Sequence, residues 1–219
     1  NKIVVIKSTV PPGTTQNFQK KHPAHKFLFN PEFLTEANAW ENTIRPDRQL
    51  VGFTERSRAV AGDVLALLPK AQVMAPSPEF ELSTTEAEIV KYAANMFLTR
   101  KVTFANAIYD VAFHQGADYE KIRQGMSSDP RIGSSHLDVL HQGYRGYGGY
   151  CFTKDTDALI AHCQELGLER CVKLLSADRA YNEEVLKEQG LTPEDVSVHD
   201  KEWVQKKIKA QSSKIKTTL

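Results

Sequence analysis

The sequence lacks any cysteine pairing pattern: its three cysteines, Cys151, Cys163 and Cys171, are an odd number with no CxxC spacing. That argues against a disulfide framework and against a zinc site, so no metal is expected, and a reducing cytoplasm is the natural setting. An excess of either charge is also missing. Lys plus Arg number 28 against 27 Asp plus Glu, and that balance gives no reason to expect nucleic acid or a membrane surface as a partner. No apolar run approaches a membrane span, and the first residues lack the basic-then-apolar layout of a signal peptide. An initiating Met is absent, and so is a GxGxxG turn at the front of the chain. The chain opens directly in a strand-like run, so it is expected to be a fragment of something longer. What is present is 219 residues of 41% hydrophobic content, enough for one large domain or two small ones.

The first 80 or so residues alternate strand and helix signals. Lys2–Lys7 is a β-branched run suited to a strand buried on both faces, ended by Ser8-Thr9-Val10-Pro11-Pro12-Gly13. Phe27–Phe29 and Gln49–Phe53 read as further strands, residues 55–68 as an amphipathic helix, and Gln72-Val73-Met74 precedes Ala75-Pro76-Ser77-Pro78, which reads as the end of this half-domain and a short connection. This describes part of a doubly wound parallel α/β sheet. After residue 82 the pattern turns helical: Ser83-Thr84-Thr85-Glu86 fits a capping box, and apolar residues recur from Ile89 to Val111. A helix of that length suits a connection between domains or a subunit interface. Shorter helices are expected at 118–126, from Asp155 to about 166, and from Arg170 to about 187, with Cys163 and Cys171 as core residues on the last two. Domain limits follow at 1–81, 82–190 and a polar, lysine-rich tail at 191–219.

Chemistry concentrates in Gly146-Tyr147-Gly148-Gly149-Tyr150-Cys151-Phe152-Thr153-Lys154-Asp155-Thr156. Glycines that run into a helical pattern let a ligand approach the backbone and place Cys151 near a helix N-terminus. The unpaired N–H groups there favour thiolate, and Lys154 adds to the effect. Asp155 lies one turn on, where it could orient water or take a proton. A buried free cysteine beside a glycine turn is the plainer alternative. Ser8 and Thr9 stand at a strand's C-terminal edge, where open α/β sheets bind ligands, or they only cap the turn. Glu32 with Glu36, and Lys91 with Asn95, are i,i+4 pairs that a solvated helix face would also explain.

In order, Val5–Thr14, Asn30-Pro31-Glu32-Phe33-Leu34, Glu88–Asn95, Asp129-Pro130-Arg131-Ile132-Gly133 and Gly146–Thr156 resemble the UDP-glucose/GDP-mannose dehydrogenase family over residues 1 to about 185. The resemblance implies the second half of a Rossmann-like parallel sheet, then an all-helical central (dimerisation) domain with a long connecting helix. It implies NAD as cofactor, a nucleotide sugar as substrate, and a homodimer through the helix at 83–113. The implied reaction is a two-step, four-electron oxidation of a sugar C6 alcohol, of UDP-glucose to UDP-glucuronate type. Cys151 matches the nucleophile that forms a thiohemiacetal and then a thioester, Asp155 and Thr9 match water-handling residues, and Glu32 matches the acid/base of hydrolysis. Lys91 matches the lysine that assists the first oxidation, and Asn95 the amide that holds the oxyanion. Ser8, Thr9, Glu36 and Lys154 match positions near the cofactor. Phe33, Leu34, Lys91, Asn95, Tyr147 and Gly148 match substrate contacts, and Arg131 matches an arginine that reaches the neighbouring subunit's site.

Four features depart from the family pattern. The Gly-rich phosphate turn and the C-terminal nucleotide-binding domain are absent, the loop between Arg131 and Cys151 is a few residues longer, and Thr153 replaces a proline. Without the Gly-rich turn, NAD binding and activity are expected to be very weak for this stretch alone. The alternative is a catalytically incomplete dimerisation module derived from such an enzyme.

Overall fold

Strand β1 (Ile3–Ile6) and strand β2 (Lys26–Phe29) are short apolar runs that pair in parallel, Ile3 with Lys26 through Ile6 with Phe29. Between them α1 (Thr14–Lys21) follows Gly13, whose φ of 90° ends the Pro11-Pro12 turn. Strand β3 (Gln49–Phe53) runs antiparallel to β2, and β4 (Glu79–Ser83) runs parallel to β3, giving a sheet in the order β1-β2-β3-β4. The computed structural model describes residues 1–34, 38–72, 79–140 and 143–197.

Three details differ from the sequence reading. The sheet is mixed, not wholly parallel, because the short α2 (Ala39–Ile44) and the turns around it return the chain without a full helical crossover. The connection expected at 75–78 lies outside the described residues, and Glu79-Phe80-Glu81-Leu82-Ser83, a polar–apolar alternation that the sequence reading did not take as a strand, forms β4. The helix expected over 55–68 is a 3-10 turn at Arg58–Val60 followed by α3 (Ala61–Leu67). One side of the sheet packs Leu28 and Val51 on Ala61 and Val64; the other packs Phe29 and Leu50 on Ala87. Close approach to the start of the next helix requires Gly52, where a Cβ would lie 2.8 Å from Ala87 Cβ and 2.9 Å from Thr84 Cα.

That helix, α4 (Thr84–His114), opens with the expected capping box: Ser83 N donates to Glu86 at 2.7 Å, and Glu86 N to Ser83 Oγ at 3.3 Å. Its 31 residues cross the division between two compact units, Asn1–Ala94 and Asn95–Leu219. In the second unit α5 (Tyr119–Ser127) is capped by Asp118, and Ala105, Ala112, Tyr119, Leu137 and Val139 form one core. α6 (Tyr150–Glu165) and α7 (Glu169–Glu188) form a hairpin through Gly167 at φ 68°. Cys163 is buried, but Cys171 is exposed, because the first turn of α7 lies at the hairpin tip. A further turn of helix, α8 (Pro193–Val196), has its own capping box, and Leu191 and Val196 are buried with Tyr144 and Leu186. The segment expected to be polar tail from 191 therefore begins docked; the lysine-rich run at 201–219 lies outside the described residues.

The first unit turns on one carboxylate. Glu88, 0% exposed, accepts hydrogen bonds from Gly13 N at 2.5 Å, Thr15 N at 2.9 Å and Thr15 Oγ1 at 2.6 Å. It occupies the positive end of α1 and ties that helix to α4. Replacing Glu88 with Gln turns an amide against these donors and should lower stability by about 3 kcal/mol, read as a fall in the urea midpoint at constant slope.

Candidate active site

Polar groups collect at the C-terminal ends of β1 and β2. Asn30, fully buried, donates through Nδ2 to Gln49 Oε1 at 3.1 Å and Leu50 O at 2.8 Å, and so fixes the turn that follows β2. Lys7 Nζ donates to Asn30 Oδ1 at 2.7 Å and pairs with the Glu32 carboxylate at 3.2 Å. Lys91, only 7% exposed, reaches from α4 to donate to the Glu32 carbonyl at 2.7 Å and lies 5.5 Å from the centre of the Phe33 ring. Ser8 is exposed, while Thr9 and Leu34 are half-buried. Glu36 lies outside the described residues. The first unit thus brings Glu32, Phe33 and Lys91 together and adds Lys7, which the sequence reading did not single out.

The second unit holds the thiol. α6 starts at Tyr150, five residues before the expected Asp155, so Cys151 is the second residue of the helix and is exposed. Gly149, at φ 76°, stands at the N-cap and supplies no side chain, and the first turn carries no acid. The first turn thus presents backbone N–H groups with neither a capping side chain nor an acid of its own, and Cys151 stands in it. One turn on, Asp155 is 0% exposed and accepts from Asn95 Nδ2 at 2.6 Å, with Lys154 Nζ paired to its other oxygen. Lys154 also lies 5.8 Å over the Tyr150 ring. Asn95 is 7% exposed, so the solvated-face reading fails for it as it does for Lys91.

The glycine turn serves the fold more than a ligand. A Cβ at Gly148 would fall 2.2 Å from Tyr144 Oη, 2.7 Å from Val196 Cβ and 2.8 Å from Val196 O, and one at Gly146 would meet Asn182 Oδ1 at 2.7 Å. Only Gly149 in the turn opens on free space. The Tyr147 ring is 5% exposed, edge-on to Phe152, and its burial pushes the phenol up to about 12. Arg145, upstream, donates to Asn106 Oδ1 at 3.1 Å, pairs with Asp110 and stacks 4.4 Å over Tyr109. The longer loop is held by Leu137, whose carbonyl accepts from Tyr119 Oη at 2.8 Å. Thr153 occupies the proline position without disturbing the helix, its hydroxyl 3.4 Å from Gly149 O. Arg131 is paired with Asp129 and its side chain is 88% exposed. Among the described residues no group of three His, Cys, Asp or Glu could hold a metal, and no helix is long and apolar enough to cross a membrane.

Residues 1–67 match the NAD binding domain and residues 85–184 the central domain of the UDP-glucose/GDP-mannose dehydrogenase family. The chain belongs to this family. It is 38% identical over 169 residues to UDP-glucose 6-dehydrogenase of Rhizobium meliloti, which covers 74% of the chain and 38% of that protein. It is 36% identical over 195 residues to the Pseudomonas aeruginosa UDP-glucose 6-dehydrogenase, covering 84% of the chain and 42% of that protein. Among solved structures, a UDP-glucose dehydrogenase from Pyrobaculum islandicum superposes with a TM-score of 0.72 at 35% identity over 85% of the chain and 42% of its own length. The chain therefore spans about two fifths of the length of the curated relatives it matches.

Family membership implies NAD as the cofactor. The described residues fit part of it. Hydroxyls of Ser8 and Thr9 border the strand edge, whereas the N-terminus of α1 is filled by the Glu88 carboxylate and offers no anion site.

The Asn95–Asp155 bond predicts a marked asymmetry. Asn95→Asp would set two carboxylates against each other in a buried position and should cost about 3–5 kcal/mol at neutral pH. Part of that loss should return on acidification, when one shared proton restores the bond; thermal melts at stepwise lower pH check it.

Proposed function

We propose that the protein acts as an NAD-dependent nucleotide-sugar 6-dehydrogenase of UDP-glucose 6-dehydrogenase type, with Cys151 as nucleophile. The observation that carries this reading is an exposed thiol at an uncapped helix N-terminus, one turn from a buried Asp155 that accepts from the Asn95 amide and pairs with the Lys154 ammonium. The likeness to UDP-glucose 6-dehydrogenases supports the substrate class. NAD, when bound, would accept the electron pairs of both oxidations, and Ser8, Thr9 and Lys154 are the described residues that would help to hold it.

The chain's own residues would divide the remaining work. Lys91, with ordered water held by Thr9, would take up the proton released when the C6 alcohol becomes an aldehyde. Cys151 Sγ would attack the aldehyde carbon, forming a C–S bond and moving the carbonyl electron pair onto oxygen. Asn95 uses one N–H on Asp155 and keeps a second for that oxyanion. After the second oxidation the sugar is a thioester. Asp155 would direct water to it, the C–S bond would break, and Glu32 would manage the proton as the acid and the thiol are released. Phe33 and Leu34 would contact the sugar through their backbone, with Tyr147 and Gly148 beside it.

The outward side of α4 supports a homodimer. Phe97, Phe104 and Val111 are 66%, 54% and 60% exposed, and at seven-residue spacing they form one stripe opposite Asn95. A second copy of the chain would cover it, and Arg131 is exposed for contact with the neighbour's site.

Turnover of UDP-glucose by the complete gene product, followed as NADH, tests the reading. Cys151→Ser should lose acid formation by at least about 10³-fold while the fold persists; acid formation at the unaltered rate would overturn it. Phe104→Glu should convert dimer to monomer by light scattering, and a dimer that survives this change would rule out the stripe as the interface.

A further inference from the structure

Two carboxamides, one on α7 and one at its C-cap, grip the main chain just ahead of the thiol. Asn182, 4% exposed, accepts from Tyr147 N at 2.7 Å and donates to Tyr147 O at 3.0 Å. Two turns on, Gln189 accepts from Arg145 N at 2.8 Å and donates to Arg145 O at 3.0 Å. Each amide therefore satisfies both polar groups of one residue, in a stretch where regular secondary structure offers the backbone no partner. Gly146, between the gripped residues, has the Cβ-less surface against which Asn182 Oδ1 rests. Two residues after Tyr147, Gly149 donates to Val196 O at 2.7 Å and starts α6.

We propose that Asn182, seconded by Gln189, is a positioning residue for Cys151: it fixes the Tyr147 peptide, hence the Gly149 N-cap, hence the convergence of first-turn N–H groups on the thiol. This rests on the reading of Cys151 as nucleophile. An asparagine in the middle of a helix is a poor choice for the helix itself, which agrees with selection for its bonds to the loop. An N-cap without a side chain depends on outside support, and Asn182 and Val196 O supply it from two sides. Without the grip the first turn frays, and the N–H groups no longer stabilise the thiolate.

Cys171 provides an internal reference, since it is exposed on the same α6–α7 hairpin but outside the loop. The experiment is alkylation of the whole chain by iodoacetamide across a pH series, with the Cys151 and Cys171 rates separated by mass spectrometry. In the unaltered chain Cys151 should react faster than Cys171 and with a lower apparent pKa. Asn182→Asp and Asn182→Ala should raise the Cys151 value by about one unit, lowering its rate about tenfold near neutrality, with Cys171 unchanged. Gln189→Ala, which spares the inner grip, should give a smaller shift in the same direction and decides the matter if the Asn182 variants do not fold. A Cys151 rate profile unmoved in folded variants overturns the positioning role alone; an unaltered chain in which Cys151 is no more reactive than Cys171 overturns the nucleophile reading and the positioning role with it.

Discussion

Helix α4 is built with its polar side inward, and every buried polar group on it must find a partner. Thr84, Glu88, Lys91, Asn95, Thr99, Thr103 and Asn106 are buried and recur at three- and four-residue steps. Glu88 holds the start of α1, Lys91 the Glu32 carbonyl, Asn95 the Asp155 carboxylate and Asn106 the Arg145 guanidinium. An unpaired buried donor or carboxylate costs more than the bond itself contributes. The partners are therefore fixed as firmly as the helix is. A helix chosen for hydrophobic burial would pack equally well, but it would organise none of these loops and caps.

The same inversion explains the opposite side of α4. Phe97, Phe104 and Val111 face outward, opposite the row of buried polar residues. Such a stripe is a liability for an isolated chain and an asset for a paired one. The buried polar row and the exposed apolar stripe thus share one helix, and a change of its phase by a single residue would displace both.

The thiol turn follows a comparable logic of outside support. Cys151 has no acid in its own turn and no capping side chain, which keeps the helix end electropositive. That leaves the turn without stabilisation of its own, and the loop is held instead by Asn182, Gln189 and Val196 O. Gly146 and Gly148 give these groups room. The glycines that seemed to promise access for a ligand mostly accommodate the protein's own atoms, with Gly149 the exception.

Local patterns in the sequence determined β1 to β3, the capping box at Ser83, the length of α4 and the α6–α7 pair, because each rests on periodicity or capping within a few residues. The ordered motifs also determined the family and pointed to Cys151, Asp155, Lys91 and Asn95. Tertiary structure decided that Lys91 and Asn95 are buried, since an i,i+4 polar pair reads alike on a wet or a dry face. It decided the antiparallel β2–β3 pairing and the docking of Leu191 and Val196, which depend on where the chain returns. It alone revealed Asn182, Gln189 and Glu88 as holders of distant backbone, because a carboxamide or carboxylate in a helical run carries no mark of the loop it will meet, dozens of residues away, once the chain has folded.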